Sequence, residues 1–299
     1  MTGQGGWPLS AFLNHDQVPF YTGTYFPKES RNGRPGFKEV LAQLSEQYQK
    51  DPDRVQEIGK EIIEAIQPRK EKGVVVLGEE VLHDCYNELR TSFDLVYSGF
   101  GAAPKFPMPH QLMFLLRYYK WTKEENAKSM VMKTLDSMAN GGIYDHIGYG
   151  FSRYSTDEMW LIPHFEKMLY DNALLITTYT EAYQLTKEPR YKKIAQEIIE
   201  YIQRDMENEN GGFYSAEDAD TEGVEGKFYT WSPEEVIDVL GEEIGTMFCE
   251  IYDISKYGNF EGKSIPNLID INLQEVSEQK DISYEDLVNT LERAKRKLF

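Results

Sequence analysis

A mainly helical chain of successive helical hairpins, with a short extended segment in front, is the architecture this sequence predicts. Three observations point there. Apolar residues recur at helical spacing from about residue 81 onward. The segment Asn140-Gly141-Gly142-Ile143-Tyr144 returns as Asn210-Gly211-Gly212-Phe213-Tyr214, as expected of repeated hairpin units. The first thirty or so residues instead carry the aromatic and β-branched pattern of two strands.

The elements follow in order. Trp7 to Leu13 reads as one strand, Asn14-His15-Asp16-Gln17 as turn chemistry, and Val18 to Phe26 as the returning strand. Phe37, Val40, Leu41, Leu44 and Tyr48 keep helical spacing. Asp51-Pro52 then supplies a cap and a first-turn proline for a second helix through Val55, Ile58, Ile62 and Ile66. Residues 67–80, with Pro68, Gly73 and Gly78 around a charge run, read as a linker. Helical stripes follow through Leu82–Val96, Leu112–Tyr119, Val131–Met138, Phe165–Tyr183 and Tyr191–Ile202, the last behind Pro189. Ser232-Pro233-Glu234-Glu235 predicts a capping box, and Ser283 to Phe299 a closing helix. Each Gly-Gly pair is expected to stop a helix in a left-handed turn and aim the next aromatic off its end. Gly258-Asn259-Phe260 reads as a degenerate third copy.

Composition excludes several function classes. The 299 residues carry a net charge of −18, against general binding to nucleic acid or anionic membranes. Cys85 and Cys249 form no C-x-x-C, so this chain holds no dithiol redox centre. No apolar run is long enough to span a bilayer, and the first residues lack the basic and apolar regions of a signal peptide. A cytoplasmic location is therefore expected. There is no P-loop, dinucleotide fingerprint, nucleophile elbow or H-E-x-x-H. Asp218-Ala219-Asp220 opens like a calcium loop, but Tyr229 stands where the bidentate Glu belongs. No cofactor and no metal are expected.

Two constellations carry chemistry. The stretch 140–172 is long for a connector and rich in Gly, Tyr, His and acids. Asp145 and His146 follow the first Gly-Gly pair. His164, behind Pro163, is read as opening a helix on which Asp171, seven positions on, shares its face and orients it. A histidine beside a carboxylate is the common acid–base unit near neutral pH. Glu166 is placed at that helix N-terminus, where the dipole favours an acid. The second constellation follows the second Gly-Gly pair, with Glu217, Asp218, Asp220 and Glu222 in six positions. Asp145, His146, His164, Asp171 and Asp218 are the candidate catalytic residues. Tyr144, Tyr154, Trp160, Glu166, Tyr170, Tyr214, Glu217, Asp220 and Trp231 are the candidate substrate-binding residues, the aromatics to stack on sugar faces. Each has a plainer alternative as a core aromatic, a helix cap or a solvated turn.

The segments MTGQGGWPLSAFL, FYTGTYFP, GFGAAPKFPMP, GGIYDHIGYGFSRYSTDEMWLIPHFEKMLYDNA, GGFYSAEDADTEGVEGKFYTW and NFEGKSIPNL span nearly the whole chain. Together they resemble the thioredoxin-domain proteins of the spermatogenesis-associated protein 20 family. The resemblance implies a thioredoxin-like domain joined to an (α/α) toroid similar to those of six-hairpin glycosidases and sugar 2-epimerases. It places the remnant of the thioredoxin-like domain (β-hairpin plus helix) at residues 1–66, the linker at 67–80, and the first part of the toroid at 81–299. Trp7-Pro8 falls where that fold carries its substrate-side proline, so the chain is expected to be a fragment truncated at both ends. Unpaired strand edges of the leftover hairpin would then invite self-association.

Two functional readings follow. In one, the toroid does general acid–base chemistry on a small sugar or oligosaccharide, by epimerisation or by hydrolysis. In the other, the chain is a non-catalytic thioredoxin-like and helical module that binds a protein partner.

Overall fold

In a computed structural model of the chain, residues 5, 6, 8–67 and 78–299 are described. Trp7 and residues 68–77, most of the expected linker, lie outside them. The chain divides into two compact units, residues 1–76 and 77–299.

The first unit is a hairpin with two helices. Strands β1 (Ser10–Leu13) and β2 (Pro19–Gly23) pair antiparallel, in register Ser10 opposite Gly23. The Asn14 side chain closes the turn by accepting from the backbone N–H of Asp16 and of Val18, both at 2.9 Å. Helix α1 (Phe37–Lys50) packs on α2 (Pro52–Ile66), and α2 packs on β2. Asp51 caps α2 by accepting from Arg54 N–H at 3.0 Å, with Pro52 as its first residue.

The second unit is helical and mainly α. Helix α3 (Glu80–Ser92) leads into α4 (Pro109–Thr122) and α5 (Glu125–Asn140). Then come α6 (Leu169–Thr186) and α7 (Pro189–Tyr201), α8 (Pro233–Leu240) and α9 (Glu242–Ile251), and α10 (Leu273–Gln279) and α11 (Tyr284–Leu298). Within each pair the helices pack on one another across a short connection. Leu112, Leu115, Val131, Leu135, Leu175, Tyr179 and Ile198 are fully buried in the core between α4, α5, α6 and α7. The predicted capping box is present at Ser232 and Glu235.

Between the pairs run long connections, and these are joined edge to edge. Lys105 bridges Ser155, and Trp231 bridges Ser264. Strand β3 (Tyr154–Ser155) pairs with β4 (Pro163–His164), and β5 (Lys167–Met168) with β6 (Ala216–Glu217). Strands β7 (Asp220–Thr221) and β8 (Val224–Glu225) complete the layer. Its strands have two residues each, too short to show any period of two in the sequence. The stripe read from Phe165 to Tyr183 is corrected accordingly, since α6 starts only at Leu169.

Among the described residues no helix is long and apolar enough to cross a membrane.

Candidate active site in the loop layer

The connection between α5 and α6 is held by two buried lysines. Lys105 is 1% exposed. Its ammonium donates to the carbonyls of Ser98 and Glu158 at 2.8 and 2.9 Å and pairs with Asp94. Lys167 is 2% exposed. It donates to Asp145 Oδ2 at 2.9 Å and to the Tyr149 carbonyl at 2.8 Å, over the rings of Tyr201 and Tyr229. Buried ammonium groups persist only when paired and hydrogen-bonded in this way.

These contacts settle the state of Asp145. Burial pushes its carboxyl up, but Lys167 and the backbone N–H groups of Gly148 and Ile147 outweigh that and hold it below the usual range. It is an anchored anion, not a free acid or base. His146 is also corrected. Its ring is 3% exposed and makes a 3.0 Å hydrogen bond with the Gly141 carbonyl. Burial, then the charge of Lys295, pushes it down to about 3, so it is neutral and a poor proton acceptor at pH 7.

Tyr144 and Trp160 are core residues. Tyr144 is 2% exposed and donates to Glu197 Oε2 at 2.5 Å. Trp160 is completely buried and donates its indole N–H to the Tyr97 carbonyl, which leaves no ring face for a ligand.

The second constellation disperses. Glu217 accepts from Tyr201 O–H at 2.7 Å and lies across the β5–β6 ladder from Lys167. Asp218 and Asp220 are exposed, and Asp218 caps its own turn by accepting from Asp220 N–H. Tyr214 is exposed and bonded to Asn208, while Trp231 is half-buried beside a separate cleft.

His164 and Glu166 do come together, by a different local structure from the one predicted, but among the described residues no hydrogen bond joins Asp171 to His164, which it was expected to orient. His164 lies in β4 and Glu166 between β4 and β5, so neither belongs to a helix. Asp171 alone is helical, in the first turn of α6. Arg153 links them. Its guanidinium binds Glu166 Oε2 at 2.8 Å, hydrogen-bonds Tyr170, and draws on the Asp171 carboxylate. Glu166 Oε2 in turn lies 4.0 Å from His164 Nδ1. Among the described residues, His164 Nδ1 is buried with no hydrogen-bond partner. The His164 ring stacks on Tyr154, which packs against Phe106. Burial raises the Asp171 carboxyl to about 6, against the pull of Arg153.

This cluster is part-exposed, with side-chain exposures of 39% for Arg153, 33% for His164 and 27% for Glu166. It combines a histidine, a carboxyl with its pKa near neutrality, a fixed cation and flanking aromatic rings. Such a set can take and return protons on a bound small molecule. Sequence reading misses Arg153 and Lys167. Their only signal is position inside the polar 140–172 stretch. Among the described residues, no group of three or more His, Cys, Asp or Glu side chains could hold a metal ion.

Comparison with known proteins is consistent with the residue-level resemblance. Residues 1–67 match the Thioredox_DsbH family, described as a protein of unknown function, DUF255. The uncharacterized protein B0495.5 of Caenorhabditis elegans is 40% identical over 89% of this chain and 39% of its own length. Spermatogenesis-associated protein 20 is 37% identical in both Mus musculus and Homo sapiens, over 88% of this chain and 36% of theirs. The chain thus spans less than two-fifths of the length of these relatives. Among solved structures, a cellobiose 2-epimerase from Bacillus thermoamylovorans matches at 14% identity and TM-score 0.41, covering 73% of this chain and 72% of that one. A GH76 α-mannanase from Bacteroides thetaiotaomicron matches at 11% and 0.41, covering 72% and 54%. Likeness at that score carries no argument about fold or chemistry.

Proposed function

We propose, from its likeness to spermatogenesis-associated protein 20, that the helical unit of this chain performs general acid–base chemistry on a small sugar. In this reading residues 1–66 are the thioredoxin-like part and residues 81–299 are hairpins of an (α/α) toroid. The observation that carries it is the part-exposed cluster of Arg153, His164, Glu166 and Asp171. Asp171, with its carboxyl raised to about 6, is a carboxylate above that pH and a competent base near neutrality. His164, whose ring is part-exposed, is the group that returns the proton. Arg153 and Glu166 hold the cluster, and the half-exposed Tyr170 offers a ring face to the sugar.

Proton abstraction and return beside a sugar carbonyl fits better than hydrolysis. Hydrolysis needs two free carboxyl groups flanking one bond, and Glu166 is committed to Arg153. The test is proton NMR of D-glucose, D-mannose and cellobiose in deuterated water with the purified chain. Loss of the C2 proton signal is expected, abolished in both Asp171→Asn and His164→Ala. No exchange in any of the three, or exchange untouched by both variants, would refute the reading.

A further inference from the structure

A second cleft, of about 880 Å³, opens away from that cluster and shares no residue with it. It lies among the C-terminal end of α5, the N-terminal half of α7, residues 268–274 and α11. Pockets for small molecules commonly fall in this range, roughly 300–1,000 Å³. Glu197 of α7 lines it, with its side chain 8% exposed. Its Oε2 takes the Tyr144 hydroxyl, but its Oε1 is buried and accepts from no donor among the described residues. The Lys193 ammonium forms an ion pair with it at 3.6 Å, too long for a hydrogen bond. A buried carboxylate oxygen without a donor is costly, and a ligand donor at that point would relieve the cost.

The surroundings decide which donor. Lys193 is bonded to Glu292 at 2.8 Å, Lys295 lies 3.4 Å from Glu292, and Arg190 lies 3.6 Å from Asp136. With the Lys193–Glu197 ion pair counted, each cation of the cleft faces a carboxylate, which leaves none to attract an anion. The rings of Tyr252 and Tyr284 and the amides of Asn272 and Gln274 also line it, together with Glu188 and several apolar side chains. Charge balance, aromatic rings and one carboxylate oxygen without a hydrogen-bond donor together suit a neutral ligand rich in hydroxyl groups.

We infer that this cleft binds a neutral polyhydroxylated small molecule, one hydroxyl of which donates to Glu197 Oε1. The site is independent of the acid–base reading, because neither Glu197 nor its neighbours touch His164 or Asp171.

His146 lines this cleft and His164 sits in the other site, so histidine NMR separates them. The full chain, labelled with nitrogen-15 at histidine, is titrated with D-glucose, D-mannose and myo-inositol in turn. The expected result is a saturable shift of the His146 ring signals with at least one of the three. Glu197→Gln should weaken that response about tenfold or more, the usual loss when a hydrogen bond to a charged group is removed. A thermal melt of the variant confirms that it is folded, and the wild-type titration stands without it. Absence of any His146 response to all three, or a response confined to His164, would overturn the inference. So would an undiminished His146 response in folded Glu197→Gln. The deuterium-exchange test of the acid–base site reads different residues, so either proposal can fail alone.

Discussion

The two segments Asn140–Tyr144 and Asn210–Tyr214 differ in one letter, Ile143 against Phe213, and have opposite physics. In the first, Asn140 ends α5, and Gly141 has an extended backbone with φ −71°. Gly141 and Gly142 are buried under the carbonyls of Trp160 and Leu161, which a Cβ would meet at 2.3 and 2.1 Å. These glycines are required for space. In the second, α7 has already passed through a five-residue π turn (Ile202–Met206), and Gly211 and Gly212 sit in an exposed turn at φ 81° and 86°. A Cβ on either would meet nothing. These glycines are required for backbone hand. The expected left-handed helix stop is therefore wrong for the first pair. The second pair is left-handed, but it comes after the helical segment rather than ending it. The ion pairs beyond the two segments differ in the same way. Beyond the first lies the buried Asp145–Lys167 pair, and beyond the second the exposed Glu222–Lys227 pair.

That contrast can be tested in order of effect. Lys167→Met leaves Asp145 as an uncompensated buried charge and should cost about 3–5 kcal/mol in denaturant unfolding. Gly142→Ala drives a methyl into a backbone carbonyl and the Ile265 side chain, with an expected loss of about 3 kcal/mol. Gly211→Ala meets only the left-handed backbone penalty, about 1–2 kcal/mol, and Gly211→Asn should recover part of it. Lys227→Ala should fall within about 1 kcal/mol of wild type. Equal losses for Gly142→Ala and Gly211→Ala would break the comparison.

Much of the fold is legible in the sequence. The helical stripes, the Asp51-Pro52 start of α2, Pro189 at the head of α7 and the Ser232 capping box are local signals, and each marks its element in the structure. The features that escape are non-local. Sequence pattern puts His164 on a helix because a two-residue strand has no periodicity to betray it. Lys105, Lys167 and Lys295 look like surface charges in a sequence and become buried struts only when their partners arrive from other segments. Aromatic residues cannot be sorted by letter alone. Trp160 vanishes into the core, while Tyr170 stays half exposed. The same distinction divides the candidate site. The residues next to the Gly-Gly pair, Asp145 and His146, are fixed in place, and His164 and Asp171 further on are only partly buried.

Asp171 is the residue on which the proposed acid–base chemistry turns. Its raised carboxyl adds stability only at low pH, a contribution present below its unfolded value near 4 and lost as the pH rises through about 6. At pH 7 the half-buried carboxylate is therefore a burden, and Asp171→Asn should raise stability there by about 1 kcal/mol, after allowing for solvent screening, while abolishing exchange. The most direct measurement is a carbon-13 carboxyl NMR titration of Asp171 in the full chain, with and without sugar. An acid–base role predicts a midpoint near 6 that moves when a sugar that undergoes exchange is added. A midpoint near 4, indifferent to every sugar tested, would contradict it.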